Sequence, residues 1–169
     1  MISQEKIKYY VPFIFFIFLL LDGQLTMFAE NLMDNAYFPS AHFLLLGYLA
    51  VIPKLSKRYL IISSIILGLI CDSYYLGILG IYTVALVSTV MLMHTFQGIV
   101  NTNLPTAFFG LVIFVTSYEL ISVALQLIFH LSKVSPILFI TRVLGPTLIF
   151  NLFIFVLFFY PLKKLFGTA

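Results

Sequence analysis

Four ionisable residues interrupt the apolar runs of this 169-residue sequence: Asp22, Asp72, Glu119 and Arg142. At membrane depth each costs a few kcal/mol unless it is paired or hydrated, so these are the first places to look for chemistry. Ser64, Gly68 and Asp72 recur every four residues and therefore share one helix face, where small side chains let a neighbouring backbone come close. Thr116, Glu119, Ser122, Gln126 and His130 fall within about 120° of arc at roughly 100° per residue, a polar stripe that cannot face lipid. Such a stripe serves helix packing more commonly than it lines a path for a solute. His42, His94 and His130 have no metal-ligand spacing, and the single cysteine, Cys71, excludes an intrachain disulfide and a Cys-based zinc site; Cys71 is expected to be a packing residue. No glycine-rich phosphate loop, HExxH pattern or nucleophile elbow occurs. Neither a catalytic centre nor a metal or cofactor is expected.

The elements that must hold these residues are membrane helices. The chain is 62% hydrophobic and 9% charged, with a mean hydropathy of +1.14, whereas a soluble domain carries about 25% charged residues. Nine Lys and Arg against six Asp and Glu give +3; on so apolar a chain that balance speaks to topology rather than to nucleic acid. Lys6 and Lys8 ahead of an apolar run could open a secretory signal. The run continues to Ala29, however, and Met27 fits a small-residue cleavage position poorly, so an uncleaved first helix is expected. Hydropathy divides residues 1–169 into a single polytopic all-α domain with six spans, at about 10–29, 37–53, 59–75, 78–95, 106–130, and either 137–160 or 146–166. The last alternative arises because Gly145 and Pro146 interrupt the run and proline suits a first helical turn; it would leave Val134 to Leu144 as an interfacial segment.

Six crossings put both termini on one side. With the N-terminus inside, the inner segments hold Lys6, Lys8, Lys54, Lys57, Arg58, Lys163 and Lys164, and the outer loops hold Lys133 with Glu30 and Asp34. The positive-inside rule therefore assigns both termini to the cytoplasm. Tyr9, Tyr10, Tyr59 and Tyr160 lie at the expected boundaries, where an amphipathic ring is favoured. Spans one and six, rich in Phe, are expected to meet lipid or partner helices, and spans three and five to pack inside. Counting 1.5 Å per residue puts Asp22, Asp72 and Glu119 all roughly 18 to 21 Å from the inner boundary. Should the last span begin near Pro136, Arg142 shares that level and its donors could serve Asp72 or Glu119; should it begin at Pro146, Arg142 sits at the interface and at least one carboxyl must carry a proton.

The run Gly68-Leu-Ile-Cys-Asp72-Ser-Tyr-Tyr-Leu-Gly77-Ile-Leu-Gly80 resembles the third-to-fourth-span hairpin of the rod shape-determining MreD family: a Gly, an Asp four residues on, then a Leu-Gly opening the next span. Pro146-Thr-Leu-Ile-Phe-Asn151, followed by an apolar run and a basic tail, looks like that family's last helix, and the resemblance covers essentially the whole chain. It implies a non-enzymatic component of the bacterial cell-elongation machinery in the cytoplasmic (inner) membrane. Its partners would be a bitopic MreC-type protein, actin-like MreB filaments, and the glycan polymerase and transpeptidase of lateral wall synthesis. It also implies a bundle similar to the substrate-binding subunits (S-components) of vitamin uptake transporters. Asp22, Gly68, Asp72, Gly77, Gly80, Glu119, Gln126, Arg142 and Asn151 are then intramembrane structural positions rather than catalytic ones. A small-molecule-binding subunit of a vitamin-type transporter is the competing reading. The short outer loop Glu30 to Ser40 and the tighter turn near Gly77 offer little to a solute and favour the scaffold.

Overall fold

The computed structural model of the chain describes residues 4–34, 36–76, 80–100, 103–132 and 135–166. These residues form six helices: α1 (Gln4–Leu32), α2 (Phe43–Val51), α3 (Lys57–Cys71), α4 (Ile81–Val100), α5 (Leu104–Ile128) and α6 (Pro136–Phe166). No strand occurs among the described residues. Four of the helices, α1, α4, α5 and α6, are long and apolar enough to cross a membrane. A π-turn, Asp72–Leu76, extends α3 by five residues. Gly77, Lys133 and Val134 lie outside the described residues.

The second apolar stretch, expected to be helical from Tyr37, is helical only from Phe43. The nine residues of α2 are all buried, and Pro39, Ala41 and His42 ahead of them are buried too. The chain thus enters the bundle in a non-helical conformation before it coils. Proline accounts for part of this, since Pro39 supplies no amide and disfavours helical geometry in Phe38. The rest depends on side chains of other helices that take up the exposed amides, as described below.

The last helix begins at Pro136, the earlier of the two starts that the sequence allowed, and residues 136–144 belong to it rather than forming a separate interfacial segment. Pro146 sits inside the helix because its defect is covered. A proline at 146 has no N–H for the carbonyl of Arg142, and the amide of Phe38 donates to that carbonyl at 2.8 Å. The turn ahead of it, Ile140–Leu144, is π-helical, with the Gly145 amide reaching back to Ile140 O.

α2 fills the centre. Tyr48 packs on Phe15 of α1 with ring centroids 4.4 Å apart, and its hydroxyl lies 3.0 Å from Ser63 Oγ on α3. Phe15 also meets Phe166, at 6.4 Å. These contacts bring the start of α1, the ends of α2 and α6 and the start of α3 to one end of the bundle, which gathers Lys54, Lys57, Arg58, Lys163 and Lys164 there. Large apolar side chains cover the outer faces, among them Phe13, Ile149, Phe153 and Val156, as a lipid environment requires.

Candidate functional site

Asp72 is wholly buried, and its carboxylate accepts four hydrogen bonds from the start of α4: from the amides of Gly80 (2.8 Å), Tyr82 (2.8 Å) and Thr83 (3.2 Å) and from the Thr83 hydroxyl (2.6 Å). The first amides of a helix have no partner within it and carry its positive dipole end, so a carboxylate there satisfies both. Gly68, one turn before Asp72, permits the approach: a Cβ on it would stand 2.6 Å from Thr83 Cα. Gly80 has φ +115, a conformation that favours glycine. The Gly68, Asp72 and Gly80 spacing is therefore a device for closing the α3–α4 hairpin on a buried carboxylate.

A second set of side chains holds the start of α2. Five consecutive amides are each accepted by a side chain from α1 or α6. Ser40 N donates to Thr147 Oγ1 (3.0 Å), Ala41 N to Thr26 Oγ1 (2.9 Å) and His42 N to Asn151 Oδ1 (2.7 Å). Phe43 N donates to Asp22 Oδ1 and Leu44 N to Asp22 Oδ2 (2.9 Å). Asn151 also donates through Nδ2 to Ser40 O (2.7 Å) and Thr147 O (2.8 Å). Irregular backbone inside a bundle is tolerated only when its polar groups are met in this way. Spans one and six are accordingly not bland helices: each turns an i, i+4 polar pair, Asp22 with Thr26 and Thr147 with Asn151, onto the centre. Of these residues, sequence reasoning singled out Asp22 and Asn151 and missed Thr26 and Thr147; the four-residue spacing was the available signal.

Glu119, on α5, pairs with a residue that sequence reasoning set aside. Its Oε1 lies 2.8 Å from His42 Nε2, with both residues buried. Arg142 is exposed and makes no ion pair among the described residues. The expected layer in which Arg142 neutralises Asp72 or Glu119 is thus not formed. Asp72 and Asp22 take backbone amides and Glu119 takes a histidine, because helix ends and the His42 ring lie nearer than the guanidinium. Along the α5 stripe Glu119 and Ser122 are buried, Thr116 and Gln126 are half-buried, and His130 is exposed beyond the helix end. Gln126 Nε2 is 3.5 Å from Ser122 Oγ.

Between α1, the start of α2, α4, α5 and α6 lies a cavity of about 440 Å³. Asp22, His42, Tyr118, Glu119, Ser122 and Gln126 supply its polar wall, and leucine side chains of α1, α2 and α4 much of the rest. The Tyr118 ring stands edge-on to His42 at 4.8 Å and roughly parallel to Tyr82 at 6.2 Å. Nothing in this arrangement activates a nucleophile: Asp22 is committed to amides and Glu119 to His42. What it can do chemically is hold helices in register and present hydrogen-bonding groups to a partly open cavity. No three His, Cys, Asp or Glu residues come together to hold a metal among the described residues.

The family model of the rod shape-determining protein MreD matches residues 3–168. A curated relative, the cell shape-determining protein MreD of Streptococcus pneumoniae (strain ATCC BAA-255 / R6), is 23% identical over 147 residues, which is 87% of this chain and 89% of the relative. No solved structure matches the chain.

Proposed function

The chain belongs to the MreD family of rod shape-determining proteins, and from that premise we propose that it is a non-enzymatic scaffold of the cell-elongation complex. In this reading a membrane protein with a role in cell shape sits in the bacterial cytoplasmic membrane as six spans, with both termini inside. It joins a bitopic MreC-type protein to MreB filaments and to the polymerase and transpeptidase that lay down lateral peptidoglycan. The observation that carries the scaffold reading is where the buried polar groups go. Asp22, Thr26, Asp72, Thr147 and Asn151 all hold backbone amides at or just ahead of the start of a neighbouring helix, so the polar interior builds a rigid frame whose apolar outer faces remain for lipid and partner helices. The gathering of Lys54, Lys57, Arg58, Lys163 and Lys164 at one end supports placing that end in the cytoplasm.

The test is purification from native membrane in mild detergent, with identification of what accompanies the protein. An MreC-type protein or a wall-synthesis enzyme is the expected companion. Recovery of an ATPase pair with a coupling subunit, and no wall-synthesis component, would instead establish the second reading, a small-molecule-binding subunit of a vitamin-type transporter. That reading draws its support from the 440 Å³ cavity, and family membership weighs against it.

A further inference from the structure

The cavity holds more polar capacity than the fold uses. Asp22 is occupied by backbone, but the Tyr118 hydroxyl makes no hydrogen bond among the described residues, although Tyr118 is only 8% exposed and lines the cavity. Glu119 gives one oxygen to His42, and its Oε2 has no partner among the described residues. A buried hydroxyl and a buried carboxylate oxygen left unmet each cost stability unless something enters to meet them. The same wall is chemically one-sided. Among the described residues that line the space, Asp22 and Glu119 are acidic, His42 is the only basic one, and none is Lys or Arg. Tyr82 and Tyr118 also line the space, their rings 27° apart in plane with centroids 6.2 Å apart. The remaining lining is largely apolar, and the volume falls in the range of small-molecule sites.

We propose that this cavity binds a protonated primary amine carried on a small apolar body, with the ammonium donating to Glu119 Oε2 and the Tyr118 oxygen and the body resting against the leucines of α1, α2 and α4. An anion would meet the carboxyl groups of Asp22 and Glu119, and a neutral alcohol would bring no positive charge to the oxygen of Glu119 that His42 does not reach. The ammonium could belong to a soluble amine or to an ethanolamine lipid headgroup. The site stands whether or not the scaffold reading holds, since it rests on the cavity alone.

The experiment uses the detergent-purified full chain and three matched probes, 2-phenylethylammonium, 2-phenylethanol and phenylacetate, read by thermal unfolding. The ammonium is expected to raise the midpoint saturably by about 3 °C or more, and the alcohol and the carboxylate by much less. Tyr118→Phe removes only the unpartnered hydroxyl and keeps both ring contacts, so it should fold as the parent does and lose most of the shift; Glu119→Gln should lose it as well. A second arm adds dioleoyl phosphatidylethanolamine or dioleoyl phosphatidylglycerol. Stabilisation by the ethanolamine lipid alone, abolished by Tyr118→Phe, assigns the ammonium to a headgroup, and response to the free amine only assigns it to a soluble ligand. Equal shifts from all three phenyl probes, no shift from any probe or lipid, or a full amine shift in Tyr118→Phe would overturn the proposal.

Discussion

Thr83 and Gly68 meet backbone to backbone: a Cβ built on Gly68 would lie 2.6 Å from Thr83 Cα and 2.9 Å from its Oγ1. The neighbour here is main chain, which cannot rotate away, so the helices must part. Gly68→Ala is therefore expected to destabilise the bundle by about 2 kcal/mol despite alanine's better helix propensity. Gly98, on the same α4 as Thr83, has nothing within 4 Å of its built Cβ, and Gly98→Ala should be neutral or stabilising by up to about 1 kcal/mol. Unfolding of both variants in one detergent checks this, and similar behaviour of the two would refute the close approach.

Parting α3 from α4 also breaks the cap. Both oxygens of Asp72 accept from donors, so Asp72→Asn turns an NH₂ group toward amide N–H groups and removes the charge at the α4 dipole. A loss of roughly 2–3 kcal/mol is expected. Thr83→Val, which deletes one of the four donors, should cost about 1 kcal/mol. Chemical unfolding distinguishes these, and an Asp72→Asn variant as stable as the parent would show that the carboxylate is not acting as an acceptor.

The close α3–α4 approach was legible in the sequence because its parts are local, with Gly68, Asp72 and Gly80 within thirteen residues; what Asp72 holds was not, since the reading offered it Arg142 or a proton rather than the amides just beyond. The start of α2 was not. Ser40 and Asn151 are 111 residues apart, and nothing in the pattern around Asn151 says which backbone it will meet. Hydropathy also read the apolar stretch from Tyr37 to Pro53 as one helix, since it registers apolar content and is blind to chain geometry. His42 was passed over for lacking metal spacing, when its partner was a lone glutamate on another helix. Distance in sequence, rather than weakness of the interaction, separates what was readable from what was not.

That remote clamp gives a ranking. Asn151→Ala strands the His42 amide and the Ser40 carbonyl together, with an expected loss of about 3 kcal/mol. Thr26→Val strands the Ala41 amide alone and should cost about half as much. Asn151→Asp keeps the acceptor but turns an oxygen toward the Ser40 and Thr147 carbonyls in place of both Nδ2 donations, so it should be less stable than the parent. Hydrogen exchange at residues 40–44 reads the clamp directly. Fast exchange confined to those amides in Asn151→Ala is the expected pattern, and protection equal to the parent's would remove α6 from the account.

The His42–Glu119 pair can be isolated from that clamp, because the His42 main-chain amide goes to Asn151 whatever its side chain is. His42→Ala leaves the Glu119 carboxylate buried without its partner, and Glu119→Ala does the same to the imidazole, so each single variant should lose about 2–3 kcal/mol. With both removed neither group is stranded, and the double variant should lose less than the sum, with a coupling of about 1–3 kcal/mol. Arg142 supplies the contrast. It is exposed and makes no ion pair among the described residues, so Glu119→Ala with Arg142→Ala should be additive within about 0.5 kcal/mol, and Arg142→Asp should not rescue Asp72→Arg. Two double-mutant cycles measured under the same conditions decide the matter: coupling between 119 and 142 and none between 42 and 119 would place the guanidinium, not the imidazole, against the buried glutamate.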